Sequence, residues 1–374
     1  MYRIWGVDIV KKNNIDLILF FAVVIISIFG VMMIYSSSNI WAEYKFDDAF
    51  KYLKSQSIFL IVGLILMIII SKIPYTYYLD KANILLFVCF FLLILVIIPG
   101  IGTVRNGSRS WFGIGGFGIQ PSEFMKLSLI IFVSKYLYKN EKNISNIKKG
   151  VLPILGITLI VFGLIMLQPD FGTGVIIVMS VVGLLFISGV SMKFFMVALV
   201  FGILGAVALI VVAPYRFKRI LSFLDPWIDP LGSGFQAIQS LFAIGPGGLL
   251  GLGLGNSIQK HFYLPEPQTD FIFAIISEEL GFLGIVIVSA LFLTIIYRGF
   301  KISLSSKDSF SKYLAFGITF QLAFQTLLNL MVVVSLIPIT GVTLPFLSYG
   351  GSSLLITLCE MGVLLNISRY VKEQ

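Results

Sequence analysis

A carboxylate at the polar mouth of an apolar helix is well placed to act as a base, and the nonapeptide YLPEPQTDF at 263–271 supplies one in Asp270. Thr269 suits the cap of the apolar run starting there, which puts Asp270 in its first turn, where the helix dipole favours the ionised form. Plain capping is the alternative use of an aspartate in that place. A second stretch, NGSRSWFGIGGFGIQPSE at 106–123, sets Arg109 beside Trp111. That pairing offers a fork of donors for phosphate and an aromatic plane for a sugar face or for the headgroup zone of a membrane. A third, PITGVTLPFLSYGGSS at 338–353, is uncharged; Gly350 and Gly351 allow close backbone approach to a ligand, and Ser352 can cap the apolar run at 352–370.

Charges inside apolar runs are costly and mark either internal pairs or function. In QPSEFMK, with Ser122 as the expected cap, the i,i+3 spacing puts Glu123 and Lys126 on one helical face, as a pair or toward a substrate. Glu278, Glu279 and Glu360 demand a polar cavity or partners, with Lys126 the cation expected deep enough to meet them. The run GPGGLLGLGLGNS at 245–257 lacks the preceding strand and the Lys-Ser/Thr ending of a nucleotide loop. His261 is the sole histidine, and Cys89 and Cys359 both sit in apolar runs, so a zinc site and a disulfide framework are both disfavoured.

The elements that position these residues are membrane spans. The 374 residues are 58% hydrophobic and 12% charged, with mean hydropathy +1.00. Soluble domains carry roughly 25% charge. Runs long enough to cross the hydrocarbon layer fall near 15–37, 56–73, 83–99, 122–138, 151–168, 173–190, 192–214, 269–298, 313–337 and 352–370. The first follows a basic segment but has no small-residue cleavage exit, so it reads as a span rather than a signal peptide. Ten spans put both termini on one side. With the N-terminus cytoplasmic, seventeen of the 27 Lys and Arg lie inside and nine outside, which supports that orientation. The expected fold is thus an all-α polytopic membrane protein, residues 1–374 forming one integral domain, with one long extracellular segment at about 215–268 before the eighth span. Trp227, Phe235, Phe242, Phe262 and Tyr263, with the Asp225-Pro226 and Asp229-Pro230 turns, mark that segment as ordered. The net charge of +9 is scattered through short connections, which argues for membrane orientation and against a nucleic-acid partner.

Taken together, NGSRSW, QPSEFMK, YRFKRILSFLDPWIDPLGSGFQAIQSLFAIG, GLGNSIQK, YLPEPQTDFIFAIISEELG and IPITGVTLPFLSYGGSS resemble the SEDS family of bacterial shape, division and sporulation proteins, which includes FtsW, RodA and SpoVE. PEPQTDF, with Thr340 and Thr343, looks more like the FtsW and SpoVE branch than RodA. Gln268, Pro246 and Ser277 depart from the family pattern, and Gln268 argues against a proton-transfer role for that neighbour. The resemblance implies a ten-span peptidoglycan glycosyltransferase of the plasma membrane. It would polymerise lipid II in cell division or sporulation, beside a class B penicillin-binding protein and other divisome or elongation proteins, with Asp270 as the essential aspartate.

The expected chemistry is a single inverting displacement. Lipid pyrophosphate is a leaving group good enough to depart without a protein acid, so one base for the acceptor 4-hydroxyl and cationic stabilisation suffice. Asp270 is the expected base; Arg109, Arg216, Arg219 and Lys260 are the expected diphosphate contacts, with room for a divalent magnesium or manganese ion. Trp111, Glu123, Lys126, Glu266, Ser348, Tyr349, Gly350 and Gly351 complete the expected substrate site. A lipid II flippase using the intramembrane carboxylates, and a non-enzymatic division scaffold, are the competing readings.

Overall fold

The computed structural model describes residues 14–371 apart from 106, 115–116, 145 and 213. The basic N-terminal stretch, Asn106 and Lys372 lie outside the described residues, as does the side chain of Arg216. Each of the ten apolar runs falls on a helix: α1 (Leu17–Phe46), α2 (Lys51–Ile70), α3 (Thr76–Ile97), α4 (Pro121–Lys139), α5 (Leu152–Met166), α6 (Phe171–Ile187), α7 (Met192–Val212), then α10 (Ile272–Leu304), α11 (Ser309–Val333) and α12 (Gly351–Ser368). Two shorter helices, α8 (Pro214–Leu224) and α9 (Phe235–Ile244), fill the long segment before α10. Among the described residues seven helices are long and apolar enough to cross a membrane, α5 counting together with the turn that leads into it. The exceptions have local causes: α6 and the leading part of α7 are short, and α4 carries Glu123, Lys126, Lys135 and Lys139.

Burial orders the bundle. The most apolar window of α12 is 78% buried and that of α11 61%, against 17% for α3, so α11 and α12 form the axis and α3 the periphery. Peripheral helices turn large side chains such as Phe87, Phe201 and Leu293 outward, which a lipid solvent tolerates. At the end of the bundle opposite Asp270, Asp16 caps α1 through the Leu19 amide and receives the Arg298 guanidinium, while its own amide donates to Ser368. The Tyr75 hydroxyl donates to Asp308 at 2.7 Å and Asn366 clamps Tyr75 and Ser71, so this end is fastened by short-range polar contacts.

Two features depart from an all-helical expectation. Residues 103–119 form a small antiparallel sheet in the order β1 (Thr103–Arg105), β2 (Ser108–Ile114), β3 (Phe117–Ile119). Ser108 pins it to the Gln168 carbonyl in the α5–α6 turn, and Ser352 donates to Gly118 while accepting from the Gln120 amide. The second departure is a break in α10 at Gly281 (φ 61°, ψ −158°), a conformation that disfavours any side chain. The glycine-rich run enters the break. Leu252 and Gly253 amides donate to the Glu278 and Glu279 carbonyls, and the Phe282 and Leu283 amides donate to the carbonyls of Gly248 and Leu249. A Cβ on Gly251 would collide with the Glu279 carbonyl oxygen, so the run is glycine-rich because backbone packs on backbone there. The orphaned groups of a broken helix are satisfied by a second chain segment, as burial away from water requires.

Candidate active site

Asp270 precedes α10 rather than lying in its first turn. The helix starts at Ile272 with no side-chain cap, and the Thr269 hydroxyl turns back to the Glu266 carbonyl at 2.7 Å. The turn is held from three sides. Asn329 of α11 donates its side-chain amide to the Asp270 carbonyl and to that of Val342, both at 2.8 Å; Ser348 donates to the Thr269 carbonyl at 2.7 Å; and the Tyr349 amide donates to the Gln268 carbonyl at 2.8 Å. All of these contacts use the backbone of the turn. The Asp270 carboxylate itself is half-buried, 3.7 Å from where a Cβ on Gly341 would stand, and among the described residues no hydrogen bond engages it.

Its electrostatic setting suits a base. Burial first, then Glu266 and least Asp170 push the Asp270 carboxyl up, Arg219 opposes them, and the balance lies at about 6. Asp170 caps α6 through the Thr173 amide and accepts from the Gln120 side chain at 2.9 Å. It too is raised, chiefly by burial. In the sequence Asp170 reads only as part of a helix break with Gln168, Pro169 and Gly172; an acidic residue inside such a break is the signal that marks it. Arg219 donates to the Ile339 carbonyl at 2.9 Å, joining α8 to the 338–350 loop beside Asp270.

The remaining expected residues divide by place. Arg109 lies half-buried on β2, but the ring of Trp111 is covered by Arg105, 5.2 Å from its centroid, rather than by Arg109. Glu123 and Lys126 pair at 3.0 Å, both buried, and Lys126 also donates to Gln325, whose amide holds the Thr343 carbonyl. Ser122 does not cap α4; Gln120 holds that position and Pro121 opens the helix. Lys260 is buried, 3.5 Å from Glu279 and donating to the carbonyls of Ser36 and Gly255, so a second deep cation joins Lys126 where the sequence points to one. Ser348 is buried and doubly bonded. Tyr349 packs edge-on to Tyr52 at 4.7 Å. The Gly350 amide donates to Gln56, and a Cβ on Gly351 would run into the Phe59 ring, so these glycines serve helix packing. Ser352 bonds the sheet instead of capping α12.

The intramembrane carboxylates are engaged. Glu278 accepts from the Ser257 hydroxyl and the Ile258 amide, Glu279 from the Ser36 hydroxyl at 2.6 Å and from Lys260, and Glu360 from Gln321 at 2.8 Å. Among the described residues no group of three or more His, Cys, Asp or Glu side chains is placed to hold a metal ion. A magnesium or manganese ion would be held here by at most one or two carboxylates together with substrate phosphates.

This arrangement has close relatives. Stage V sporulation protein E of Bacillus subtilis is 51% identical over 96% of this chain and 98% of its own length. The probable peptidoglycan glycosyltransferase FtsW of Geobacter sp. is 40% identical over 96% and 98%. Among solved structures, one described as the structural coordination of polymerization and crosslinking by a peptidoglycan synthase complex superposes with TM-score 0.78 at 33% identity, covering 95% of this chain and 98% of that one. RodA of Thermus thermophilus does so with TM-score 0.71 at 29% identity, covering 96% and 98%. Residues 16–373 match the profile of the cell cycle proteins FtsW, RodA and SpoVE, and the chain belongs to that family.

Proposed function

We propose that Asp270 is the general base with which this chain, a peptidoglycan glycosyltransferase of the plasma membrane, extends glycan strands. The observation that carries the assignment is the contrast between its carboxylate, free of hydrogen bonds among the described residues, and the other deep carboxylates, each engaged by the protein. The substrate is lipid II, whose sugar and diphosphate lie at the outer surface, where the Lys and Arg asymmetry puts the Asp270 end. A base with a pKa near 6 is ionised at neutral pH and still basic enough to take a proton as the acceptor 4-hydroxyl attacks. Attack on C1 forms the new glycosidic bond, the bond to the lipid diphosphate breaks, and the anomeric configuration inverts.

Arg219, which reaches from α8 to the 338–350 loop and lowers the Asp270 pKa, is the foremost diphosphate contact, with Arg109 and Arg216 behind it. Glu266 faces the substrate. Ser348, Tyr349 and Gly350 hold the turn and the loop, Glu123 and Lys126 support the loop through Gln325, and Lys260 and Gly351 fasten the helices around them, none by touching sugar. The partner is a class B penicillin-binding protein that crosslinks the product, and division or sporulation is the setting. A flippase would need a mobile polar path, whereas the mid-bundle carboxylates here fasten helices to one another. Purified protein incubated with labelled lipid II, alone and with its cognate transpeptidase, should yield a ladder of glycans on a gel. Transfer of lipid II across vesicle bilayers with no ladder under either condition would overturn the reading in favour of transport.

A further inference from the structure

Helix α1 runs 30 residues from its cap at Asp16, about 45 Å against a hydrocarbon thickness of ~30 Å, so its last turns stand above the apolar layer. There Trp41 and Tyr44 meet Phe262 of the segment leading to Asp270, with ring centroids 5.4 and 5.3 Å away. Tyr44 is 77% and Phe262 49% exposed. Phe262 holds a left-handed backbone (φ 66°), a costly conformation for an aromatic residue, and it does so while leaving the ring half in water. The cluster is continuous with the site. The Tyr52 hydroxyl lies among Trp41, Gln268 and Glu266, and Tyr52 packs on Tyr349, whose amide fastens the Gln268 carbonyl two residues before Asp270.

A growing glycan must lie along the outer surface next to the carboxylate that extends it, and each pyranose ring offers an apolar face of C–H groups that is best buried on an aromatic ring. We infer that Trp41, Tyr44 and Phe262 form a platform on which the sugars of the growing strand stack as it is extended at Asp270. The inference rests on the glycosyltransferase reading and adds a subsite to it. The platform holds the strand between additions, so it sets how many sugars are joined before release and leaves the first transfer alone.

The test compares Tyr44→Ala with Phe262→Gly, the latter keeping the left-handed backbone, singly and together, in full-length protein with its partner transpeptidase and labelled lipid II. The double variant should make its shortest product at a rate within about twofold of the parent while mean strand length falls about fivefold, the scale of one lost stacking contact. Tyr44→Phe should restore the length. An unchanged length distribution overturns the proposal, as does equal loss of first transfer and length. A binding measurement that needs no turnover separates this from failure of the enzyme reading. Asp270→Asn protein is titrated with uncrosslinked, lipid-free glycan fragments of four to six sugars, following the fluorescence that Trp41→Phe removes. Saturable quenching supports the platform. Quenching by headgroup-labelled lipid with none by the fragments identifies a membrane anchor and refutes it.

Discussion

A pair of glutamates and a lone aspartate lie within one stretch of chain and have opposite fates. Glu278 and Glu279, inside α10, are buried and surrounded by donors: the Ser257 hydroxyl, the Ile258 amide, the Ser36 hydroxyl and the Lys260 ammonium. Asp270, two residues ahead of the same helix, has its backbone clamped by Asn329 while no hydrogen bond engages its carboxylate among the described residues. A buried carboxylate supplied with donors fixes structure, because removing either side leaves an uncompensated group. One held in place by its backbone and left without donors keeps its basicity. The protein thus puts its hydrogen bonds into the frame and withholds them from the reacting group.

The largest effect that could break this comparison is on stability. Glu279→Ala strands Lys260 and should cost about 3–5 kcal/mol, read as a collapse of the thermal midpoint in detergent. A midpoint within a degree of the parent would mean that the knot holds nothing. Asp270→Asn should shift stability the other way. A carboxyl raised to about 6 in the folded chain binds its proton more tightly there than when unfolded, so stability is highest below the unfolded pKa and falls as pH rises toward 6. The neutral amide avoids that loss, and the variant should melt above the parent at pH 7. Activity follows the opposite limb. Lipid II polymerisation should fall about tenfold per pH unit below 6 as the base is protonated, and a rate flat from pH 7 to 5 would remove Asp270 from the proton-transfer step. The smallest effect is a shift of the pH midpoint: Arg219→Ala should lower the rate at every pH by losing a diphosphate contact, and losing the charge that holds the Asp270 carboxyl down should also move the acid limb to higher pH, checked by the midpoint of the same profile.

The spans are legible in the sequence because an apolar run is a local property, and all ten runs lie on helices. The long segment before α10 is also readable as ordered, and its aromatic residues do pack, Trp227 against Phe242 among them. Features set by distant partners escape such a reading. Lys260 reads as a diphosphate contact in the outer segment until Ser36, 224 positions away, comes to meet it. Thr269, Ser122 and Ser352 carry the chemistry of helix caps, yet tertiary or turn contacts take the hydroxyls of Thr269 and Ser352, and Pro121 sets the start of α4. Strands of three to seven residues are too short to carry a period that can be seen. Asp170 is visible as a residue, but its facing of Asp270 arises only when α6 is packed against the 338–350 loop, where Gly172 abuts the Thr340 carbonyl.

The central claim is that one carboxylate, left without a hydrogen bond among the described residues, performs the proton transfer. The most direct measurement is the rate at which Asp270→Asn protein, shown to be folded by its thermal midpoint, converts labelled lipid II to glycan in the presence of its partner. Loss of a positioned general base should lower that rate at least about 10²-fold. Polymerisation at the parental rate by the folded variant would contradict the account.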